Sequence, residues 1–198
     1  MKRGILSAAV LAVAASTGAT GQGAFAPMSA GATGQLAERL LAAQNRERLA
    51  VGHAPLVWDP QLAASAASYG PVLASMRRLV HSPRESRPGQ RENLAMAVHG
   101  TLSPEQLIGL WSSEKLLLQP GSSGPSCPKQ FGCLSFPPVS RTGNWVDVGH
   151  YTQMVWPTTT RVGCAVFAAD WDYLICRYSP PGNIDGKPVF ASAVLAAR

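Results

Sequence analysis

Val162-Gly163-Cys164-Ala165-Val166-Phe167 and Tyr173-Leu174-Ile175-Cys176-Arg177-Tyr178 are two runs rich in β-branched and aromatic residues, separated by Ala168-Ala169-Asp170-Trp171-Asp172. Such a pattern predicts an antiparallel hairpin. A turn centred on Asp170 sets Cys164 opposite Cys176, because the two are equidistant from it. A cross-strand disulfide follows, worth roughly 3 kcal/mol in the chain-entropy model. Cys127 and Cys133 are then left to close a short loop within 120–138. That pairing uses all 4 cysteines and leaves no thiol nucleophile. Beyond the hairpin, Pro180-Pro181-Gly182-Asn183 carries the proline-then-glycine signal of a type II turn.

Upstream of the hairpin the text is helical. From Gln35, the residues Leu36, Leu40, Leu41 and Ala43 form an apolar stripe, and Glu38, Arg39, Arg46 and Glu47 a polar side. Gly52 stops that helix, and residues 53–58 read as an extended connector. Asp59-Pro60 is a helix start, an acidic cap with proline where its missing N–H costs nothing. Gly70-Pro71 predicts a kink or split in the helix that follows. Ser103-Pro104-Glu105-Gln106 is another start, with capping-box spacing. Its helix is expected to run to about Leu118. Residues 119–144 hold five prolines and four glycines, and residues 81–91 read as a polar loop. Helices first and strands later, without βαβ alternation, predict an α+β fold with helices packed on an antiparallel sheet.

The N-terminus reads as an export signal. Lys2 and Arg3 precede the apolar run Ile5 to Ala15, which is too short to span a bilayer. The expected organisation is a signal peptide at 1–21, a flexible Gly/Ala-rich lead-in at 22–34, one domain at 35–190 and a short tail at 191–198. Removing Lys2 and Arg3 takes the 17 basic residues to 15 against 11 acidic ones, so the net charge falls from +6 to +4. The basic residues are scattered, with Arg84, Arg87 and Arg91 in one loop. No run matches a nucleic-acid-binding arm. The expectation is a secreted monomer, extracellular or periplasmic, with no transmembrane segment after cleavage and no nucleic-acid partner.

Several segments, taken in order, resemble one family pattern. They are Asn45-Arg46-Glu47-Arg48, Pro55-Leu56-Val57-Trp58-Asp59, His81-Ser82, Glu92-Asn93-Leu94-Ala95, Trp111-Ser112-Ser113-Glu114, Gly149-His150-Tyr151-Thr152-Gln153-Met154-Val155-Trp156, Arg161-Val162-Gly163-Cys164-Ala165 and Cys176 to Asn183. Each tetrapeptide is weak alone, and the ordered set is specific. The chain resembles the CAP superfamily (cysteine-rich secretory, antigen five, pathogenesis-related) over about residues 35–190. It looks like the pathogenesis-related branch or bacterial relatives, without a cysteine-rich tail. The resemblance implies a three-layer α-β-α sandwich and a cavity lined by His81, Glu92, Glu114 and His150, with Asn93, Tyr151 and Gln153 nearby. Three positions depart from the pattern. Gln44 stands where histidine is common, Val148 replaces a cysteine, and Arg91 replaces the glycine before Glu92. Arg91 is expected to lower the Glu92 pKa or to occlude the cavity mouth.

His81 and His150 would supply imidazole nitrogens to a divalent metal such as Zn²⁺, leaving positions open to solvent. Glu92 and Glu114 would orient the imidazoles or act as general bases on bound water. Three function classes follow. The first is a non-catalytic secreted binder of lipid, sterol or an extracellular protein, in host interaction, stress or defence. The second is a stress or antimicrobial factor working through its surface, with Tyr151, Gln153 and Trp156 pinning a buried segment. The third is a metal-dependent hydrolase, with Glu92 and Glu114 as catalytic residues. Against the third, the chain has neither a His-Glu-x-x-His helix pair nor a Gly-x-Ser-x-Gly elbow.

Overall fold

A computed structural model describes residues 30–119, 140–184, 187, 189 and 190. The proposed signal peptide, the Cys127–Cys133 bridge and the tail at 191–198 lie outside the described residues.

Helix α1, Ala30–Ala50, starts within the stretch that composition marks as a lead-in. Asp59 caps α2, Pro60–Ala67, by accepting from the amides of Gln61 and Leu62. The split expected at Gly70-Pro71 is present: α2 ends and α3, Gly70–Met76, begins there. Ser103 and Gln106 form the full capping box of α4, Pro104–Ser112. That helix tightens into a 3-10 segment at Ser113–Leu117, which carries Glu114. A 3-10 turn at Trp145–Val148 leads into α5, Gly149–Met154.

The hairpin forms from β3, Arg161–Ala168, and β4, Trp171–Ser179, with Cys164 paired with Cys176 in register. The Cys164–Cys176 disulfide is present, with Cα atoms 4.1 Å apart. Two further strands, β1 (Val57–Trp58) and β2 (Arg91–Val98), complete a sheet of order β1-β3-β4-β2. The expected extended connector supplies β1, Val57–Trp58, which pairs parallel to β3, so the sheet is mixed rather than wholly antiparallel. Strand β2, Arg91–Val98, reads Arg-Glu-Asn-Leu-Ala-Met-Ala-Val and gives no strand signal in the sequence. Antiparallel pairing with β4 along its whole length, from Arg91↔Tyr178 to Val98↔Trp171, makes it a strand.

Successive side chains of these strands face opposite layers. Leu94, Tyr173 and Ile175 pack with Ala66 and Leu73 beneath α2 and α3. Ala95, Leu174, Cys176 and Tyr178 pack with Leu40, Trp111, Tyr151 and Met154 beneath α1, α4 and α5. The result is the expected α-β-α sandwich. Gly163 allows the close approach of the first layer, since a Cβ there would overlap the backbone of Asp59 and Ala63. The turn signal at 180–183 resolves differently from expectation. The left-handed residue is Asn183, with φ 50°, while Gly182 serves packing: a Cβ on it would lie 2.6 Å from the Trp156 ring.

Arg48 ties α1 to three other parts of the chain and is 1% exposed. Its Nε donates to Ala54 O at 2.7 Å. Its terminal nitrogens donate to Met154 O, Trp156 O and Thr159 O at 3.0, 2.8 and 2.9 Å. Burial lowers its pKa to about 10, partly offset by Tyr178, so it stays charged at neutral pH. Asn45 adds a reciprocal pair with the Leu56 backbone. Arg48→Met leaves several buried carbonyls without donors and is expected to cost at least about 3 kcal/mol in urea unfolding. Arg48→Lys, lacking the planar fork, recovers only part of that loss.

Candidate functional site

A cavity of about 380 Å³ opens beside the start of the edge strand β2. His81, Ser82, Glu92, Asn93, His150 and Gln153 line it, together with Arg84, Arg87, Arg91, Trp145, Val146, Gly149 and Asn183. Loop 81–90 supplies one wall, β2 the floor, and α5 with its preceding turn the other wall.

Each histidine is held by a glutamate from another element. His81 Nδ1 lies 2.9 Å from Glu92 Oε1, and His150 Nδ1 lies 2.6 Å from Glu114 Oε1. With Nδ1 engaged, Nε2 is the ring nitrogen without a partner among the described residues in both. The His81 side chain is 55% exposed and that of His150 34%. His150 also stacks on Trp111, with ring centres 6.0 Å apart and planes within 11°. Asn93 fixes the same residue through its backbone, donating to His150 O at 2.9 Å.

The two glutamates sit in different settings. Glu114 does not line the cavity; it stands behind His150 and accepts the amides of His150 and Tyr151 at 3.0 and 2.9 Å. It thus caps the start of α5, where unpaired amides favour a carboxylate. The Glu92 side chain has no exposure. Its Oε1 also accepts from Ser82 N at 3.0 Å, and its Oε2 from Ser82 Oγ at 2.8 Å. Arg87 and Arg177 approach it at 3.9 and 3.3 Å. Burial alone would raise the Glu92 pKa. The hydrogen bonds from His81 and Ser82 and the charge of Arg87 outweigh that and hold it below the ordinary value.

Arg91 is not the cation that acts on Glu92. Neighbours on a strand point to opposite faces, and Arg91 donates instead to Gly182 O at 3.1 Å and Asn183 O at 3.5 Å, on the cavity wall. The cations on Glu92 come from Arg87, in a loop that reads only as polar, and from Arg177, across the sheet at the Glu92↔Arg177 pair. Hairpin pairing within 162–178 could be extended to Cys176 from the sequence; the position of β2 could not. Ser82 is no nucleophile here. It is 3% exposed, donates to Glu92 and accepts from Arg87 Nε at 2.9 Å and Arg177 at 3.2 Å.

Tyr151 is fully buried in the core and does not line the cavity. Gln153 lines it, yet both ends of its amide are engaged: Oε1 accepts from Gly182 N at 3.0 Å, and Nε2 donates to Thr159 Oγ1 at 3.3 Å. Gln44 accepts from Tyr178 OH at 2.7 Å and is buried, as is Val148.

The CAP: Cysteine-rich secretory protein family model matches residues 41–178. The chain belongs to the CAP family. Pathogenesis-related protein 1C of Nicotiana tabacum is 36% identical over 149 residues, covering 74% of this chain and 76% of the relative. Pathogenesis-related protein 1 of Arabidopsis thaliana is 35% identical over 143 residues, covering 71% and 74%. Ancylostoma secreted protein of Ancylostoma caninum is 30% identical over 186 residues, and this chain spans only 41% of its length. Among solved structures, Na-ASP-1 superposes with a TM-score of 0.61 at 26% identity, over 79% of this chain and 41% of that one. These CAP relatives agree with the α-β-α architecture, and no helix among the described residues is long and apolar enough to cross a membrane.

The Glu92 carboxylate has a definite pH signature. Its folded pKa is depressed, so the stability it contributes is present above the unfolded value of about 4.3 and is lost as pH falls through the folded value. Glu92→Gln is expected to lower the melting temperature at neutral pH and to flatten its decline below about pH 4. Melting curves by circular dichroism across that range check it. A variant with the wild-type acid limb contradicts the assignment.

Proposed function

We propose that the chain is a secreted, defence-related CAP protein that acts by binding, and that its cavity holds one exchangeable divalent metal such as Zn²⁺. The carrying observation is that both cavity histidines are fixed at Nδ1 by carboxylates, the arrangement that fixes the tautomer and orients Nε2 toward a metal. The names of the pathogenesis-related relatives support the defence setting, and the N-terminal signal pattern supports export. Among the described residues no three His, Cys, Asp or Glu side chains gather as a ligand set. The donors are therefore two imidazoles, with water completing the coordination. Such a site fits a labile metal better than a closed structural one.

Binding is favoured over hydrolysis because both glutamates are committed to holding the imidazoles and the neighbouring amides and hydroxyl. Every oxygen of Glu92 and Glu114 already accepts hydrogen bonds. The charged cavity lining also suits polar ligands better than a sterol, so a lipid or sterol partner would have to use its polar head there or dock elsewhere on the surface.

Zn²⁺ at about a hundredfold excess over its Kd should stabilise the protein by about 2.7 kcal/mol, or roughly 5–10 °C in Tm. His81→Ala combined with His150→Ala should remove the shift, and acidification should weaken it because the imidazoles must be neutral to bind. A wild-type Tm unmoved by Zn²⁺ defeats the metal assignment. Proteolytic activity lost both to a chelator and to Glu92→Gln would instead favour the hydrolase.

A further inference from the structure

Folding gathers three arginines of the 81–91 region on one partition. Arg84 lies in the 3-10 turn Arg84–Ser86, Arg87 follows it, and Arg91 begins β2. All three line the histidine-bearing cavity. They also line an adjoining hollow of about 340 Å³, whose other residues include Gly89, Pro181 and Ile184.

The charge on this partition is unevenly matched. Arg87 is buried, tied to Ser82 and to Gln90 O, and its charge acts on Glu92. Arg91 is anchored by the Gly182 and Asn183 carbonyls, which fix its position without cancelling its charge. Among the described residues, Arg84 and Arg91 take part in no ion pair, and Glu85 beside Arg84 pairs with neither. Burial first, then the charges of Arg84 and Arg87, push the Arg91 guanidinium below its usual value. Repulsion of that kind is relieved by an anion.

We propose that this partition binds a phosphomonoester group, with its oxygens taken by Arg84 and Arg91 and its organic remainder lying in one of the two hollows. The planar guanidinium fork matches phosphate oxygens, and charge-assisted bonds to a dianion are the strong ones. Two guanidiniums from separate elements favour a dianion over a single carboxylate. The site uses neither imidazole and does not depend on the metal. Soluble phosphate esters and phospholipid headgroups share this chemistry.

Trp145 lines the cavity, so its fluorescence reports occupancy. The full chain, treated with a chelator, would be titrated with glycerol phosphate at constant ionic strength. A saturable change is expected, weakened at least about tenfold by Arg84→Glu. That variant should keep the wild-type Tm, because the Arg84 side chain is exposed and makes no ion pair. Arg91→Gln should weaken binding similarly, and the double histidine variant should retain it. Flotation with phosphatidylcholine vesicles containing phosphatidic acid separates the sources. Vesicle capture lost in Arg84→Glu assigns a lipid headgroup, and ester binding without vesicle capture assigns a soluble ligand. No saturable response to either probe, or a response that Arg84→Glu leaves unchanged, overturns the proposal.

Discussion

A single buried cation, Arg48, sets the relation between the first helix and the segment that carries His150. A charged group taken out of water needs dense hydrogen bonding, and Arg48 finds it in backbone carbonyls rather than in a carboxylate. Those carbonyls belong to residues 54, 154, 156 and 159, so the loop after α1 and the exit from α5 are fixed together. Thr159 passes the constraint on, donating to Pro180 O at 3.0 Å. Gln153 passes it to Gly182, whose carbonyl in turn receives Arg91. The cavity wall is therefore anchored through a chain of hydrogen bonds that starts far from the histidines.

The two His–Glu pairs show how similar local geometry arises from different physics. Glu114 is satisfied by the amides that begin α5, a local arrangement that any short helix start offers. Glu92 is buried and accepts from His81 and from the hydroxyl and amide of Ser82, and these bonds with the charge of Arg87 hold it ionised against the cost of burial. Loss of Arg87 or Arg177 would leave a buried carboxylate under-compensated. The His81 side of the cavity is accordingly the more electrostatically demanding half. His150 gains its order from stacking on Trp111, whose Nε1 donates to Leu94 O at 3.1 Å and so ties α4 to β2.

Features encoded by neighbouring residues were legible in the sequence. The Asp59-Pro60 cap, the Ser103–Gln106 box, the break at Gly70-Pro71 and the Cys164–Cys176 register each depend on a few adjacent positions or one turn. Strand β2 was not legible, because its alanines, methionine, glutamate and asparagine favour no strand by themselves. It takes its conformation from β4, a partner about eighty residues away in sequence. The placement of Arg91 away from Glu92 has the same origin. Without knowing that 91–98 is extended, sequence adjacency to Glu92 looks like contact, whereas alternation along a strand separates the two side chains. Glycine at 182 is ambiguous in a related way: a turn and a packing requirement call for the same residue.

The segment Gly149 to Trp156 is mainly framework. Tyr151, Thr152, Gln153, Met154, Val155 and Trp156 are all buried, and their work is to fill the core or to close hydrogen bonds with Thr159, Gly182 and Asn183. Gly149 meets the Trp145 ring closely, where a Cβ would lie 3.1 Å from it. Only His150 turns toward the cavity with a ring nitrogen to offer. A segment built this way can hold one imidazole rigidly while the chemistry of the opposite wall is set independently by loop 81–90. In this chain that loop brings arginines, so the same scaffold that orients two imidazoles presents them within a cationic enclosure.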